Sequence, residues 1–578
     1  VTEERAVNEG RRAALRGIAG APLAVGAADL LGVDAIPESR AIESISGGAS
    51  RFWGDRDADE VFPQSVASGD PTPTGAMVWT RVNPDVVEPN APLELVVATD
   101  GDFDRNRRTF AVETDDLAAH DCTAKVDLDG RLSPDERYHY RFVYDDVASE
   151  TGAFHTLPAP GSSPERVRFG IVNCQDYRSG YYGAFAHLAR EDLDFVLHLG
   201  DFIYEYAGFS DDVDFYEYFD RYVRLPSGED VAVSLEDFRH LYRTYRGDPF
   251  LQAAMEAHAV IPTWDDHEIV DNRYWDYDEE RPRAGEEAHP YEDDPESMRR
   301  LFAAGIRAWW EYLPARVEYD PDTESLQERL RLYRSFEFGD LLDLVVTDER
   351  LYRTSPTEGD KIGFSFDSEP DGPVDEGDIE ETMLGDRQRE WFRERVTGSD
   401  ATWTAWANEV LLSEFSLDGQ FLSVFNADAW DGVATERRYL LDQFDDGNVE
   451  NLLVFTGDMH SSLTGYVAPT DADPTASESR VGVELMTPAV TSPNVRERLD
   501  LVNAADVERY IAREVVEKND AIEAFDSGHW GYAVAEVTRD ACEFTVYAVD
   551  KSVDSRIAPK EELFSYRVPR GSADLRRV

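Results

Sequence analysis

The run His198-Leu-Gly-Asp-Phe-Ile-Tyr-Glu-Tyr206 sets Asp201 and Tyr204 three residues apart. They lie just beyond an apolar stretch, Phe195 to Leu199, that reads as a buried strand. A strand end followed by a turn lets a carboxylate and a phenolate converge on a hard trivalent cation such as Fe3+. Three more motifs of this kind follow predicted strands: Asn173-Cys174-Gln175-Asp176, Trp264-Asp265-Asp266-His267-Glu268 and Thr456-Gly457-Asp458-Met459-His460. Each is cheap alone, since Gly-Asp is a common turn and Asp-His recurs by chance. Together they look like a dinuclear metal site, in which two cations roughly 3.5–4 Å apart can activate a water and clamp an in-line displacement.

Positioning these groups requires an open α/β sheet, which gathers ligands at the C-terminal ends of its strands. After residue 165 the text supplies it, with apolar strands at Val167–Val172, Phe195–Leu199, Ala259–Thr263, Leu341–Thr347, Trp403–Ala407, Leu452–Thr456 and Val483–Met486. Helical stretches separate them. Ser234 caps one whose Leu235, Phe238, Leu241, Tyr242 and Tyr245 share a face, and Met298, Phe302, Ile306, Trp309 and Leu313 form another face that ends ahead of Pro314. Both stripes are read as core packing. From Phe62 to Pro158 the pattern is instead short alternating runs with Gly, Pro and Asp punctuation, such as Ala76–Arg81 and Tyr138–Val143, the signature of a small sandwich. The expected organisation is therefore an N-terminal segment at 1–40, a β-sandwich at 60–163 and an α/β catalytic domain at 165–570. Two acidic loops, Asp276–Ser297 and Ser355–Glu381, read as solvated faces, with scattered calcium binding as the lesser alternative.

The chain has 578 residues and a net charge of −61, yet 42% of it is hydrophobic, so the charge belongs to a folded surface. Lysine occurs only at Lys125, Lys361, Lys518, Lys551 and Lys560, and arginine supplies nearly all the remaining positive charge. This resembles the protein of an extreme halophile, whose dense carboxylates stay hydrated while salt shortens their repulsion to a Debye length of about 3 Å at 1 M. Such a surface excludes docking on nucleic acid or an anionic membrane, because each phosphate contact needs Lys or Arg. Three cysteines, Cys122, Cys174 and Cys542, are too few for a disulfide scaffold; a single Cys122–Cys542 bridge stays open. Arg11 and Arg12 precede the mildly hydrophobic run Gly17–Ala28, which resembles a twin-arginine export signal, with a short amphipathic helix as the alternative. No later stretch of ~18 uncharged apolar residues suggests a membrane span.

These motifs, in this order, resemble the alkaline phosphatase D family, calcineurin-like metallophosphoesterases with a site related to that of purple acid phosphatases. The resemblance runs from about Phe62 onward and adds Val66-Ala-Ser-Gly-Asp-Pro71, Asp348-Glu-Arg-Leu-Tyr-Arg353, Asp428-Ala-Trp-Asp-Gly432 and Thr487-Pro-Ala-Val-Thr-Ser492. It implies a layered metallophosphoesterase β-sandwich flanked by helices, preceded by a fibronectin-III-like sandwich. The same resemblance implies that Cys174, Asp201, Tyr204 and His460 hold iron, and that Asp201 bridges to a second metal, calcium, held also by Asp266, Asp458 and Asn408. His267 then serves the leaving group or the equatorial oxygens, and Arg350 grips a phosphate oxygen or, alternatively, pairs with acidic residues. Two departures stand out: Phe202 replaces a frequent tyrosine, and His529-Trp530-Gly531-Tyr532 replaces His-Gly-Tyr, which leaves His529 without a clear role.

The expected protein is an exported, monomeric phosphatase acting on small or polymeric phosphoesters, monoesters or diesters, by metal-hydroxide attack to release phosphate. One competing reading is a dedicated, phospholipase D-like phosphodiesterase. Another is a secreted acidic binding protein whose metals are structural.

Overall fold

The computed structural model describes residues 57–578 apart from 89–90, 115, 208–217, 286–288, 356–373, 416, 419–422, 425–427, 470–471 and 499–504. The twin-arginine segment and most of the Ser355–Glu381 loop lie outside the described residues. Nine strands carry the argument: β1 (Val66–Thr72), β2 (Arg166–Val172), β3 (Phe195–His198), β4 (Ala259–Pro262), β5 (Leu342–Val346), β6 (Trp403–Asn408), β7 (Leu452–Thr456), β8 (Gly482–Met486) and β9 (Gly531–Thr538). All seven apolar runs expected after residue 165 are strands.

They divide between two sheets. In the ten-stranded sheet β9, β2, β3, β4 and β1 are consecutive neighbours; β2, β3, β4 and β1 run parallel, and β9 joins β2 antiparallel. In the seven-stranded sheet β5, β6, β7 and β8 run parallel, between antiparallel strands at Arg334–Phe338 and Ser462–Val467. The sheets pack face to face through one apolar cluster. Phe169 of β2 stacks on Phe195 of β3 at 4.7 Å and meets Phe455 of β7 edge-on at 5.3 Å. Parallel strands covered on both faces must be apolar throughout, which is why β3, β5 and β7 are buried at every position.

The N-terminal strands depart from a free-standing sandwich. Leu93–Ala98, Arg108–Val112, Arg137–Tyr144, Val147–Ala148 and Gly152–His155 form their own sheet, but β1, Gly75–Arg81 and Thr123–Asp127 extend the large one. The layer facing the small sheet is therefore shared, and Val66, Val78, Leu95, Tyr140 and Ala259 lie in one core.

Two helices back the site. Helix α1 (Leu235–Tyr245) starts at Ser234, whose hydroxyl accepts the Asp237 N–H, and buries Phe238, Leu241, Tyr242 and Tyr245. Helix α2 (Pro295–Tyr312) is capped by Asp294, buries Met298, Phe302, Ile306 and Trp309, and stops before Pro314. The three cysteines are buried and free, so the Cys122–Cys542 bridge is not formed. Among the described residues no helix is long and apolar enough to cross a membrane.

Candidate metal centre

The loops leaving β2, β3, β4 and β7 meet at one place. Cys174, Asp201, Asp458 and His460 all hold left-handed backbone, with φ of 48°, 56°, 62° and 52°. Such conformations in non-glycine residues cost on the order of 1–3 kcal/mol each and persist where packing imposes them. The packing here is tight. A Cβ on Gly200 would come within 2.5 Å of Asp265, and one on Gly457 within 2.8 Å of the Asn173 amide, so the glycine of each Gly-Asp pair lets neighbouring loops touch.

Donor atoms of Cys174, Asp201 and His460 lie within 4.8 Å of one another. Tyr204 joins them: its hydroxyl donates to Asp201 Oδ2 at 2.7 Å and sits 3.1 Å from His460 Nε2. His460 Nδ1 is 2.8 Å from the Pro493 carbonyl, to which it donates; this turns the Nε2 lone pair toward the cluster, the usual orientation of a metal-binding imidazole. Ser492 Oγ, 2.7 Å from Tyr204 Oη, accepts the Asp176 N–H. On the other side, Asp201, Asp266 and His267 form a second convergent group and Asp265, Asp266 and Asp458 a third. Asp201 thus belongs to two groups, as a bridging carboxylate must.

Burial and mutual repulsion dominate the electrostatics of the cluster. Burial, followed by neighbouring carboxylates, pushes the Cys174 thiol and the Asp201 carboxyl well above their ordinary ranges, and burial with Asp201 does the same to the Tyr204 phenol. Burial raises Asp458 to about 7 despite Arg350. Burial also lowers His460 to about 3, which keeps it a neutral donor. Asp266 is the exception: burial would raise it, but His267 and Arg350 hold it below the usual range. A thiol, a phenol, an imidazole and four clustered carboxyls suit one transition metal beside one harder, oxygen-loving cation. Either ion would relieve the proton-retaining field.

Around the cluster, His267 is fixed by Glu205, whose Oε2 lies 2.7 Å from Nδ1, and its ring lies 4.2 Å from that of Tyr204. Burial opposes its charge, yet Asp266, Glu205 and Asp201 hold its pKa well above the ordinary value. Glu268 accepts the N–H groups of Asp201, Phe202 and Asp265 at 3.1, 2.7 and 2.7 Å, and so ties the β3 and β4 loops together.

Two expected site residues have other occupations. Arg350 is fully buried, and its guanidinium pairs with Asp265, with Asp428 at 2.6 Å and with Asp458 at 3.3 Å, one contact from each of its three nitrogens. Asn408 accepts the Trp430 indole N–H at 2.8 Å through Oδ1 and donates to Val410 O and Thr456 Oγ1 through Nδ2. Trp430 itself is fully buried, edge-on to Trp406 at 5.5 Å. His529 lies apart, 3.0 Å from Asp526. Sequence reasoning passed over Asp265, Glu205 and Glu268, although two of them stand in the quoted Trp-Asp-Asp-His-Glu run.

Comparison with known proteins decides the family. Residues 169–546 match the PhoD-like phosphatase model and residues 47–158 match the PhoD-like phosphatase N-terminal domain. The chain belongs to the PhoD-like phosphatase family. Alkaline phosphatase D of Bacillus subtilis (strain 168) is 31% identical over 486 residues, which cover 82% of this chain and 76% of that protein. The solved structure of PhoD superposes with a TM-score of 0.73 at 26% identity and covers 91% of this chain and 93% of its own. As a PhoD-like phosphatase the chain is a hydrolase of phosphoric ester bonds, and the mixed α/β architecture expected from its strand pattern is the one it has.

Proposed function

We propose that this enzyme is an exported, metal-dependent phosphatase that hydrolyses phosphate monoesters, diesters or both, releasing phosphate from external compounds. The convergence of Cys174, Asp201, Tyr204 and His460 beside Asp266 and Asp458 carries this reading. The first four residues would hold iron. Asp201, Asp266 and Asp458 would hold calcium, and Asp265 stands close enough to join them. When bound, the two ions would supply Lewis acidity and neutralise charge on the phosphoryl group.

The chain's own residues do the rest. His267, kept protonated by its carboxylate neighbours, donates Nδ1–H to Glu205 and leaves the Nε2 edge to give a proton to the departing oxygen. Arg350 offsets the carboxylates from beneath, which prevents their mutual repulsion from spreading the loops. Residues 60–163 are read as the N-terminal β-sandwich domain and 165–570 as the catalytic domain, in a monomer without a nucleic-acid docking surface and, among the described residues, without a helix able to span a membrane. The paired arginines near the start support export through a twin-arginine route.

The test is graded chelation with elemental analysis, a visible spectrum and circular dichroism. Turnover is expected to vanish with the metals while the fold persists, and a phenolate-to-iron band is expected to bleach with the iron. Full activity after both metals are shown to be gone would overturn the dinuclear reading. Rates on p-nitrophenyl phosphate and its bis ester then assign monoester or diester preference.

A further inference from the structure

We infer that Glu349 and Glu409 form a reciprocal clasp that sets the spacing of the carboxylates proposed to hold the second cation. Both glutamates are fully buried, at the ends of β5 and β6. The Glu349 N–H donates to Glu409 Oε2 at 2.8 Å, and the Glu409 N–H donates back to Glu349 Oε2 at 3.0 Å. Each remaining oxygen takes a threonine hydroxyl: Thr263 to Glu409 Oε1 at 2.5 Å, and Thr347 to Glu349 Oε1. The Glu409 carbonyl accepts the Gly457 N–H at 3.1 Å.

Four strand ends are therefore joined through one residue pair. Thr263 stands two residues before Asp265 and three before Asp266; Glu349 adjoins Arg350; Gly457 adjoins Asp458. Asp265, Asp266 and Asp458 are the three carboxylates whose oxygens converge. They come from two different sheets, since β4 belongs to the ten-stranded sheet and β7 to the seven-stranded one. Close-packed apolar side chains hold the sheets together, and directional hydrogen bonds add a fixed donor–acceptor distance at the strand ends. The Thr263–Glu409 bond crosses from one sheet to the other at the height of the ligands. Burying two carboxyls side by side is costly, and only saturated hydrogen bonding offsets it. A pair of apolar side chains would fill the space without that cost but would not fix the register. Glu349 and Glu409 are positioning residues and do not themselves touch substrate.

This rests on the proposed dinuclear reading, and the test separates the two. Enzyme dialysed against EGTA, to strip the harder cation and keep the iron, is titrated calorimetrically with Ca2+. Glu409→Ala is expected to weaken Ca2+ binding at least tenfold, about 1.4 kcal/mol, with iron content and near-ultraviolet circular dichroism retained. Glu409→Gln, which keeps one acceptor for the Glu349 N–H and a donor toward Thr263 Oγ1, is expected to stay within threefold of the wild type. Thr263→Val is the milder probe should Glu409→Ala fail to fold, with an expected loss of about threefold, taken as half a decade on the same scale. A folded Glu409→Ala or Thr263→Val protein with wild-type Ca2+ affinity would overturn the clasp, as would a Gln variant as impaired as the Ala one. A wild-type protein that binds no Ca2+ would instead sink the dinuclear reading itself.

Discussion

Replacing His267 by Ala tests the assignment of the proton donor most directly. The imidazole touches Glu205 through Nδ1 at 2.7 Å, faces Asp271 Oδ1 across 3.6 Å through Nε2, and packs at a tilt against the Tyr204 ring. Glu205 keeps its other oxygen on the Asp271 N–H at 2.8 Å, so the loop retains an anchor when the ring is removed. General acid catalysis contributes about 10²–10⁴ in rate, equivalent to roughly 2.7–5.4 kcal/mol of barrier at 1.36 kcal/mol per tenfold. Removing a cation also leaves Asp201 and Asp266 more negative, so metal retention should hold or improve. The expected result is a kcat fall within that range on an alkyl phosphate, whose leaving group needs the proton. On p-nitrophenyl phosphate, whose leaving group departs as an anion, the fall should be at least tenfold smaller. Steady-state rates on both substrates, alongside elemental analysis, provide the check. A variant with intact metals and kcat within tenfold of wild type on both substrates would refute the assignment.

Glu268→Ala strips three buried N–H groups of their acceptor at about 1–3 kcal/mol each, so thermal unfolding should show a loss of at least ~3 kcal/mol, with Glu268→Gln losing about a third of it. Glu191 is lowered to about 2: burial opposes this, but bonds from Lys560, Arg168 and Tyr532 outweigh it. Its folded pKa lies below its unfolded value of 4.5, so its stabilisation is present above pH 4.5 and is lost as pH falls through about 2. The melting temperatures of wild type and Glu191→Gln should therefore converge across that window, and a gap that stays constant would contradict the sign. With a net charge of −61, dialysis into dilute buffer should lower the melting temperature or unfold the protein as screening is lost; an unchanged circular dichroism spectrum would count against a salt-dependent fold.

Much of this molecule was legible because its parallel strands are buried on both faces and so appear as unbroken apolar runs, with Asp201, Asp266 and Asp458 at their ends. The antiparallel side of the large sheet was not legible for the converse reason. Ala541–Val549 alternates buried and half-buried positions, carries Glu543, and joins the sheet through β9, which pairs with β2 more than 350 residues earlier. The shared layer of the N-terminal region was hidden in the same way, because nothing local in Val66–Thr72 states that Ser68 will lie beside Ala259. Among the proposed site residues the division is chemical. Cys174, Tyr204 and His460 are recognisable by type, since few other reasons bring a thiol, a phenol and an imidazole to strand ends. Arg350 and Asn408 are not, because a guanidinium fork fits a carboxylate as well as a phosphate and an amide oxygen fits an indole as well as a cation. For such residues the deciding quantity is which partner the fold brings within 3 Å. That is a long-range property: Asp265 reaches Arg350 across 85 residues, and Trp430 reaches Asn408 across 22.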